Sequence, residues 1–259
     1  MNQTERRLYL IRSLLKEKSE YKSIAIPNDG DGQKQLLRSL MNVRMPKEID
    51  EEFLKIQDEY LKEELEQSGI TKLSDLTPID GDLYLWQGDI TKLKCGAIVN
   101  AANSGMTGCY VPCHACIDNC IHTFAGVQLR LECAELMQKQ AFDEPTGQAK
   151  ITKAYNLPCE YVIHTVGPIV ESRFTTEHEG LLASCYRSCL ELAERNNIES
   201  IAFCCISTGV FRFPNERAAE IAVETVRKYK TESGNGMKVI FNVFKDLDKA
   251  IYKKLLGAD

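Results

Sequence analysis

The 259-residue sequence predicts a three-layer α/β/α fold with a mixed, largely parallel central sheet, preceded by an N-terminal helical extension. Three observations carry that prediction. Apolar residues recur at helical spacing up to about Leu76. After Gly81, short apolar runs alternate with helical patterns. Polar and glycine-rich turns stand just after those runs, where a parallel sheet places its ligands. The expected division is a helical extension over 1–76 and an α/β unit over 77–259.

In the extension, Leu8, Ile11, Leu14 and Leu15 share one helical face, with Thr4 as the expected N-cap. Asn28-Asp29-Gly30-Asp31-Gly32 reads as a turn or exposed loop, and Gln33 to Met41 as a second short helix. Beyond Pro46, the positions Ile49, Phe53, Ile56, Tyr60 and Leu61 define a longer amphipathic helix ending near Gly69. These helices are expected to cap the main unit; an arm for a partner is the alternative. No chemistry is visible in them.

In the second part, Leu83-Tyr84-Leu85-Trp86-Gln87 alternates as a half-buried strand does, and Ala97-Ile98-Val99-Asn100 reads as a buried one. Tyr161 to Val166, Ser200 to Ile206 and Lys238 to Phe244 are three further strands. Gly180 to Arg195 and Asn215 to Tyr229 are helices between them.

Composition narrows the function. A net charge of -5 argues against electrostatic capture of nucleic acid or an anionic membrane surface. It leaves nucleotides open, because backbone N–H groups in glycine loops hold phosphates without lysines. Met1 to Arg7 carries no secretory signal, and no apolar run approaches the roughly 18 residues of a membrane span. Eleven unevenly spaced cysteines point to thiols or metal ligands instead of a disulfide framework, and the expected location is cytoplasmic.

Three motifs follow strands: Gly88-Asp89-Ile90-Thr91, Asn100-Ala101-Ala102-Asn103, and Ser207-Thr208-Gly209-Val210-Phe211. Each alone reads as an ordinary turn; together, on one edge of the sheet, they outline a crevice. The stretch from Gly105 to His122 crowds four cysteines (Cys109, Cys113, Cys116, Cys120) and two histidines (His114, His122). Zinc favours thiolate and imidazole at such spacings. Buried thiols are the alternative, which suits Cys120 beside Ile117 and Ile121 better than the cysteines flanking Pro112 and His114.

These motifs, with Gly147-Gln148-Ala149, His164-Thr165-Val166-Gly167-Pro168 and Val239 to Phe244, stand in the order found in macrodomains, and the chain resembles that family over about 175 residues. The resemblance implies ADP-ribose binding. Asp89 and Ile90 would meet the adenine, with Phe244 stacked on the ring. Backbone N–H groups from Ser207 through Thr208, Gly209, Val210 and Phe211 would cradle the diphosphate. Phe211 would pack on the distal ribose and Asn103 bond its hydroxyls.

The chain departs from many macrodomains by lacking a glycine run after the Asn-Ala-Ala-Asn strand. There it resembles the zinc-containing macrodomains, whose loop reads Gly-Cys-aromatic-x-Pro-x-His-x-Cys-Ile-Asp-Asn. That likeness implies Cys109, His114 and Cys116 as zinc ligands, with Cys113 spare and a fourth position open, as in catalytic zinc. Asp118-x-Cys-Ile-His resembles the helix start of MacroD-type hydrolases, where the aspartate lies near the scissile bond; a helix N-terminal acid favoured by the dipole is the plainer account.

The expected activity is therefore zinc-dependent hydrolysis removing mono-ADP-ribose from modified proteins, with Asn103 and Asp118 as catalytic residues. A non-catalytic ADP-ribose reader and an O-acetyl-ADP-ribose deacetylase are the alternatives. The resemblance further suggests a lipoate-carrier protein as modified substrate and a sirtuin-like ADP-ribosyltransferase as functional partner. His122 is expected to orient or pack, His164 to be structural and His178 to be solvated. Cys95, Cys133, Cys159, Cys185, Cys189, Cys204 and Cys205 read as core thiols.

Overall fold

The computed structural model describes residues 1–257. Helix α1 (Gln3–Lys16) begins at Asn2, not Thr4: the Asn2 side chain accepts the Glu5 N–H, and the Glu5 carboxylate accepts the Asn2 N–H in return. Helix α2 (Gly30–Val43) absorbs most of the expected Asp-Gly loop, because Asp29 accepts the Gly32 N–H at 2.7 Å and so starts the helix early. Helix α3 (Glu51–Ser68) is capped by Asp50 and ends at Gly69, whose φ of 86° suits glycine. Leu10, Ile11, Leu14, Leu37, Phe53 and Ile56 form a core among these helices.

A short antiparallel edge strand β1 (Pro78–Asp80) precedes β2 (Leu83–Gln87) and β3 (Ala97–Ala102). Helices α4 (Ile117–Ala125) and α5 (Val127–Gln140) follow, then β4 (Ala149–Lys153) and β5 (Tyr161–Val166). The chain continues through α6 (Thr176–Arg195), β6 (Ser200–Phe203), α7 (Asn215–Ser233), β7 (Lys238–Val243) and α8 (Asp246–Leu256). The sheet order is β1-β2-β7-β6-β3-β5-β4. The five inner strands run parallel, and β1 and β4 close the edges antiparallel. The mixed, largely parallel sheet is as expected.

The five inner strands therefore end on one edge. Order reverses at β3, which lies between β6 and β5, and a crevice opens outside the strand ends at such a reversal. Burial is nearly complete along the centre, with Ile98, Val99, Val162, Ile163, Ile201 and Ile240 at 0% exposure. That rigid layer fixes the strand ends from which the site loops leave.

The N-terminal helices dock on α4 and α5. Gln57 of α3, fully buried, accepts the Val127 N–H at 3.0 Å and so caps α5, where Gly126 offers no side chain. Asp58 accepts from both Gln128 and Asn156, and Val127 joins the core of the helical unit. No described helix is long and apolar enough to cross a membrane.

Candidate functional site

At the end of β2, the Asp89 carboxylate accepts the Thr91 N–H at 3.0 Å and its hydroxyl at 2.6 Å, both on Oδ1, which leaves Oδ2 to face outward partners. The adjacent β7 delivers Phe244, 75% exposed, as a ring without a cover. Asn242 donates to the carbonyls of Trp86 and Gly88, binding the two strand ends together. Asp89 and Phe244 are thus neighbours by sheet register. The Ile90 side chain, only 2% exposed, belongs to the core, so any ligand contact there falls to its backbone.

The loop after β6 turns through two left-handed residues, Ser207 (φ 64°) and Arg212 (φ 59°). The Phe213 N–H returns to the Ser207 carbonyl and the Arg212 N–H to that of Gly209. The N–H groups of Gly209, Val210 and Phe211 have no backbone acceptor among the described residues, and Gly209 and Val210 are exposed. Such a run forms an anion-holding concavity. The Ser207 hydroxyl is buried against Gly167, where an added Cβ would lie 2.1 Å from Oγ, so only the Ser207 backbone can serve the loop. The Phe211 carbonyl accepts the Val170 N–H, which anchors the loop on the segment after β5.

At the end of β3, Asn103 donates through Nδ2 to the Gly108 carbonyl at 3.2 Å and to Asp118 Oδ2 at 3.4 Å. Both amide hydrogens are thereby used, and Oδ1 stays available. Asp118, in the first turn of α4, also accepts from Asn100 at 2.8 Å. Burial pushes its carboxyl up to about 6, against the opposing pull of Asn100, Arg130 and Asn103. Asn100 uses its second hydrogen on His164 Nδ1 at 3.1 Å, so His164 carries its proton on Nε2 and gives it to Thr152 Oγ1 at 2.9 Å. Burial holds His164 down to about 3, so the ring is neutral.

His122 lies one helical turn beyond Asp118, with Nε2 3.6 Å from Oδ1. Burial, and His164 secondarily, hold it well below the usual imidazole range, and neither ring nitrogen has a hydrogen-bond partner. It packs under Gly108, where a Cβ would meet ring carbons at 2.7 Å. His122, Cys133 and His164 converge within 4.8 Å, but all three are buried and His164 already spends both nitrogens, so they form a polar knot in the core. His178 is not simply solvated: it accepts the Thr175 N–H at the start of α6 and stacks on Phe174.

Cys109, His114 and Cys116 bring their donor atoms within 4.8 Å of one another. Cys109 Sγ and His114 Nδ1 are 3.6 Å apart. Zn–S and Zn–N bonds of ordinary length at a tetrahedral angle span about 3.6 Å, so the trio suits that ion. Burial, with Cys109 and Asp118 adding to it, pushes the Cys116 thiol up to about 12. A dication held by these donors would offset that cost and favour the Cys116 thiolate. Cys113 points elsewhere, its sulfur 3.2 Å from the Ser39 hydroxyl. All 11 cysteines are free thiols.

The Macro domain profile matches residues 99–222. A protein-ADP-ribose hydrolase of Treponema medium is 61% identical, over 99% of this chain and 100% of that protein. This chain belongs to the macrodomain family. A protein-ADP-ribose hydrolase of Staphylococcus aureus strain MRSA252 is 48% identical over 97% of this macrodomain and 95% of its own length. The Trypanosoma brucei macrodomain in complex with ADP-ribose superposes with a TM-score of 0.66 at 32% identity, covering 85% of this chain and 95% of that one.

Several residues that shape the site of this macrodomain carry no motif signal of their own. Asn100 was legible only as part of a strand-end run, although it holds Asp118 and His164 together. Asn119 donates to the carbonyls of Cys109 and Val111 and so folds the Cys–His loop back on α4. Arg130, from α5, donates to the carbonyls of Met41, Asn42 and Arg44 and lies 4.3 Å over the Tyr110 ring. Cys133 reads as an isolated core thiol, and only the fold sets it beside His122 and His164.

Proposed function

We propose that this macrodomain removes mono-ADP-ribose from modified proteins, with zinc held by Cys109, His114 and Cys116. One juxtaposition carries the proposal: the three soft donors gather at the N-terminus of α4, whose first turn presents Asp118 bonded to Asn103 at the end of β3. The names of the Treponema and Staphylococcus relatives support the same activity.

The residues divide the work along the nucleotide. Asp89 accepts from the adenine amino group through Oδ2, and Phe244 stacks on the ring. The N–H groups of Gly209, Val210 and Phe211 take the diphosphate. Asn103 Oδ1 accepts a hydroxyl of the distal ribose, and Phe211 packs on that sugar. This remote binding fixes the reacting carbon, so its energy goes into orientation. Asp118, steadied by two asparagine amides, positions the attacking water and handles its proton. Zinc, held by Cys109, His114 and Cys116, would supply Lewis-acid chemistry. In the same reading the reaction is cytoplasmic, its substrate a modified lipoate-carrier protein and the modifying enzyme a sirtuin-like ADP-ribosyltransferase.

The test is metal analysis of fresh protein together with release of ADP-ribose from a mono-ADP-ribosylated protein, before and after chelation and after zinc is restored. About one zinc per chain, activity lost with it and recovered on return, is the expected result. Full activity without metal overturns the zinc assignment. Tight ADP-ribose binding with no release makes the protein a reader, and acetate release from O-acetyl-ADP-ribose alone makes it a deacetylase. Cys116→Ala is expected to lose metal and activity together, while Cys113→Ala keeps both.

A further inference from the structure

We infer that the N-terminal helical unit is a working part of the metal site, with Arg38 and Asn42 of α2 as positioning residues for the loop that carries Cys109, His114 and Cys116. The inference rests on the zinc reading above and assigns a role to residues in which the sequence shows no chemistry.

The contacts fall on the loop backbone at the ligands themselves. Arg38 Nη2 donates to the His114 carbonyl at 2.8 Å and to Asn119 Oδ1 at 3.0 Å. Asn119 in turn donates to the carbonyls of Cys109 and Val111, so one guanidinium reaches both arms of the loop. Asn42 Oδ1 accepts the Cys113 N–H at 2.9 Å. Cys113 is in the left-handed region at φ 51°, a conformation that costs a non-glycine residue about 1 kcal/mol or more and needs holding. It directly precedes His114, so its backbone aims the imidazole. Asn42 is itself 1% exposed and fixed by donation to Thr123 at 2.8 Å. Arg130 completes the frame, donating to the carbonyls at the C-terminal end of α2 and, at 3.4 Å, to that of Cys109.

The loop between β3 and α4 otherwise has few internal ties. Its only backbone–backbone bond between Cys109 and Cys116 among the described residues joins the His114 N–H to the Val111 carbonyl. Without α2, a three-ligand site would need ordering as the metal arrives; with it, the site is preorganised. Groups that orient metal ligands in this manner commonly change affinity by about 10–100-fold when removed.

The experiment measures zinc release from the loaded full-length protein into excess chelator, with ADP-ribose affinity by calorimetry in parallel. Arg38→Met keeps an unbranched apolar chain of similar length and removes the donors, together with the guanidinium's approach to the Phe124 ring. Release about tenfold or more faster is expected, with Arg38→Lys intermediate because an ammonium can still meet the His114 carbonyl. Asn42→Ser, read in the same way, provides a second line should Arg38→Met fold poorly. Arg6→Ala loosens the same helical unit at its Glu59 and Glu63 pairs on α3, bonds that do not involve the loop, and is expected to release zinc at the parental rate. Parental release in a folded Arg38→Met or Asn42→Ser protein overturns the inference, as does equal acceleration in Arg6→Ala, which would mark a general loosening. A parent protein that binds no zinc at all fails the metal reading instead.

Discussion

Replacing Arg130 with Met tests how the helical unit is joined to the α/β unit. Arg130 is 5% exposed, and its Nη1 faces three carbonyls, those of Met41 at 3.1 Å, Asn42 at 2.7 Å and Arg44 at 2.6 Å. Nη1 has two hydrogens, so the set counts as two charge-assisted bonds, worth about 3–6 kcal/mol together before offsets. Against them stand the desolvation of a guanidinium, which lowers its pKa, and a buried Nε with no partner. Methionine keeps the stem packing but leaves carbonyls at the end of α2 without donors. The net loss works out at about 3 kcal/mol, or about 6–12 °C in Tm for a chain of this size. Guanidinium titration followed by circular dichroism and by Trp86 fluorescence reads it. A shift below about 0.5 kcal/mol would refute the reasoning, because it would mean that the carbonyls find water at no cost.

Three further outcomes are expected. In chelator-treated protein, Asp118 has a folded pKa of about 6 against 3.8 unfolded, so its contribution is fully present below 3.8 and is lost as pH rises through about 6. Asp118→Asn should therefore be more stable than the parent by up to about 3 kcal/mol at about pH 8 and equal to it at about pH 4; an offset independent of pH contradicts this. Asp89→Ala should weaken ADP-ribose binding by about 1–3 kcal/mol in calorimetry and lower Tm slightly through the lost Thr91 bonds; unchanged affinity removes Asp89 from the adenine site. Gly108→Ala should cost about 1–3 kcal/mol in a thermal melt, because φ is 84° and the new Cβ would meet the His122 ring at 2.7 Å; an unaltered melting point would show that the loop yields freely.

The five inner strands of the sheet were legible in the sequence alone. Strand periodicity and strand-end turns are local signals, and they place Asp89, Asn103 and Ser207–Phe211 on one edge, whereas Phe244 joins the site only through the resemblance to macrodomains. The crowd of cysteines and histidines between Gly105 and His122 was legible for the same reason, while the choice of Cys109, His114 and Cys116 among them came with the resemblance to zinc-containing macrodomains. The edge strands β1 and β4 and helices α5 and α8 were not read: their patterns are short or weakly segregated, and sheet pairing or docking decides them. Only the tertiary structure could show that Arg38 and Asn42, about 75 residues before the loop, hold its backbone, or that Asn100 joins Asp118 to His164. A buried amide or guanidinium is assigned its task by whichever carbonyl, N–H or carboxylate packing brings opposite it. That pairing is set by desolvation across elements distant in sequence, and it leaves no spacing in the chain to read.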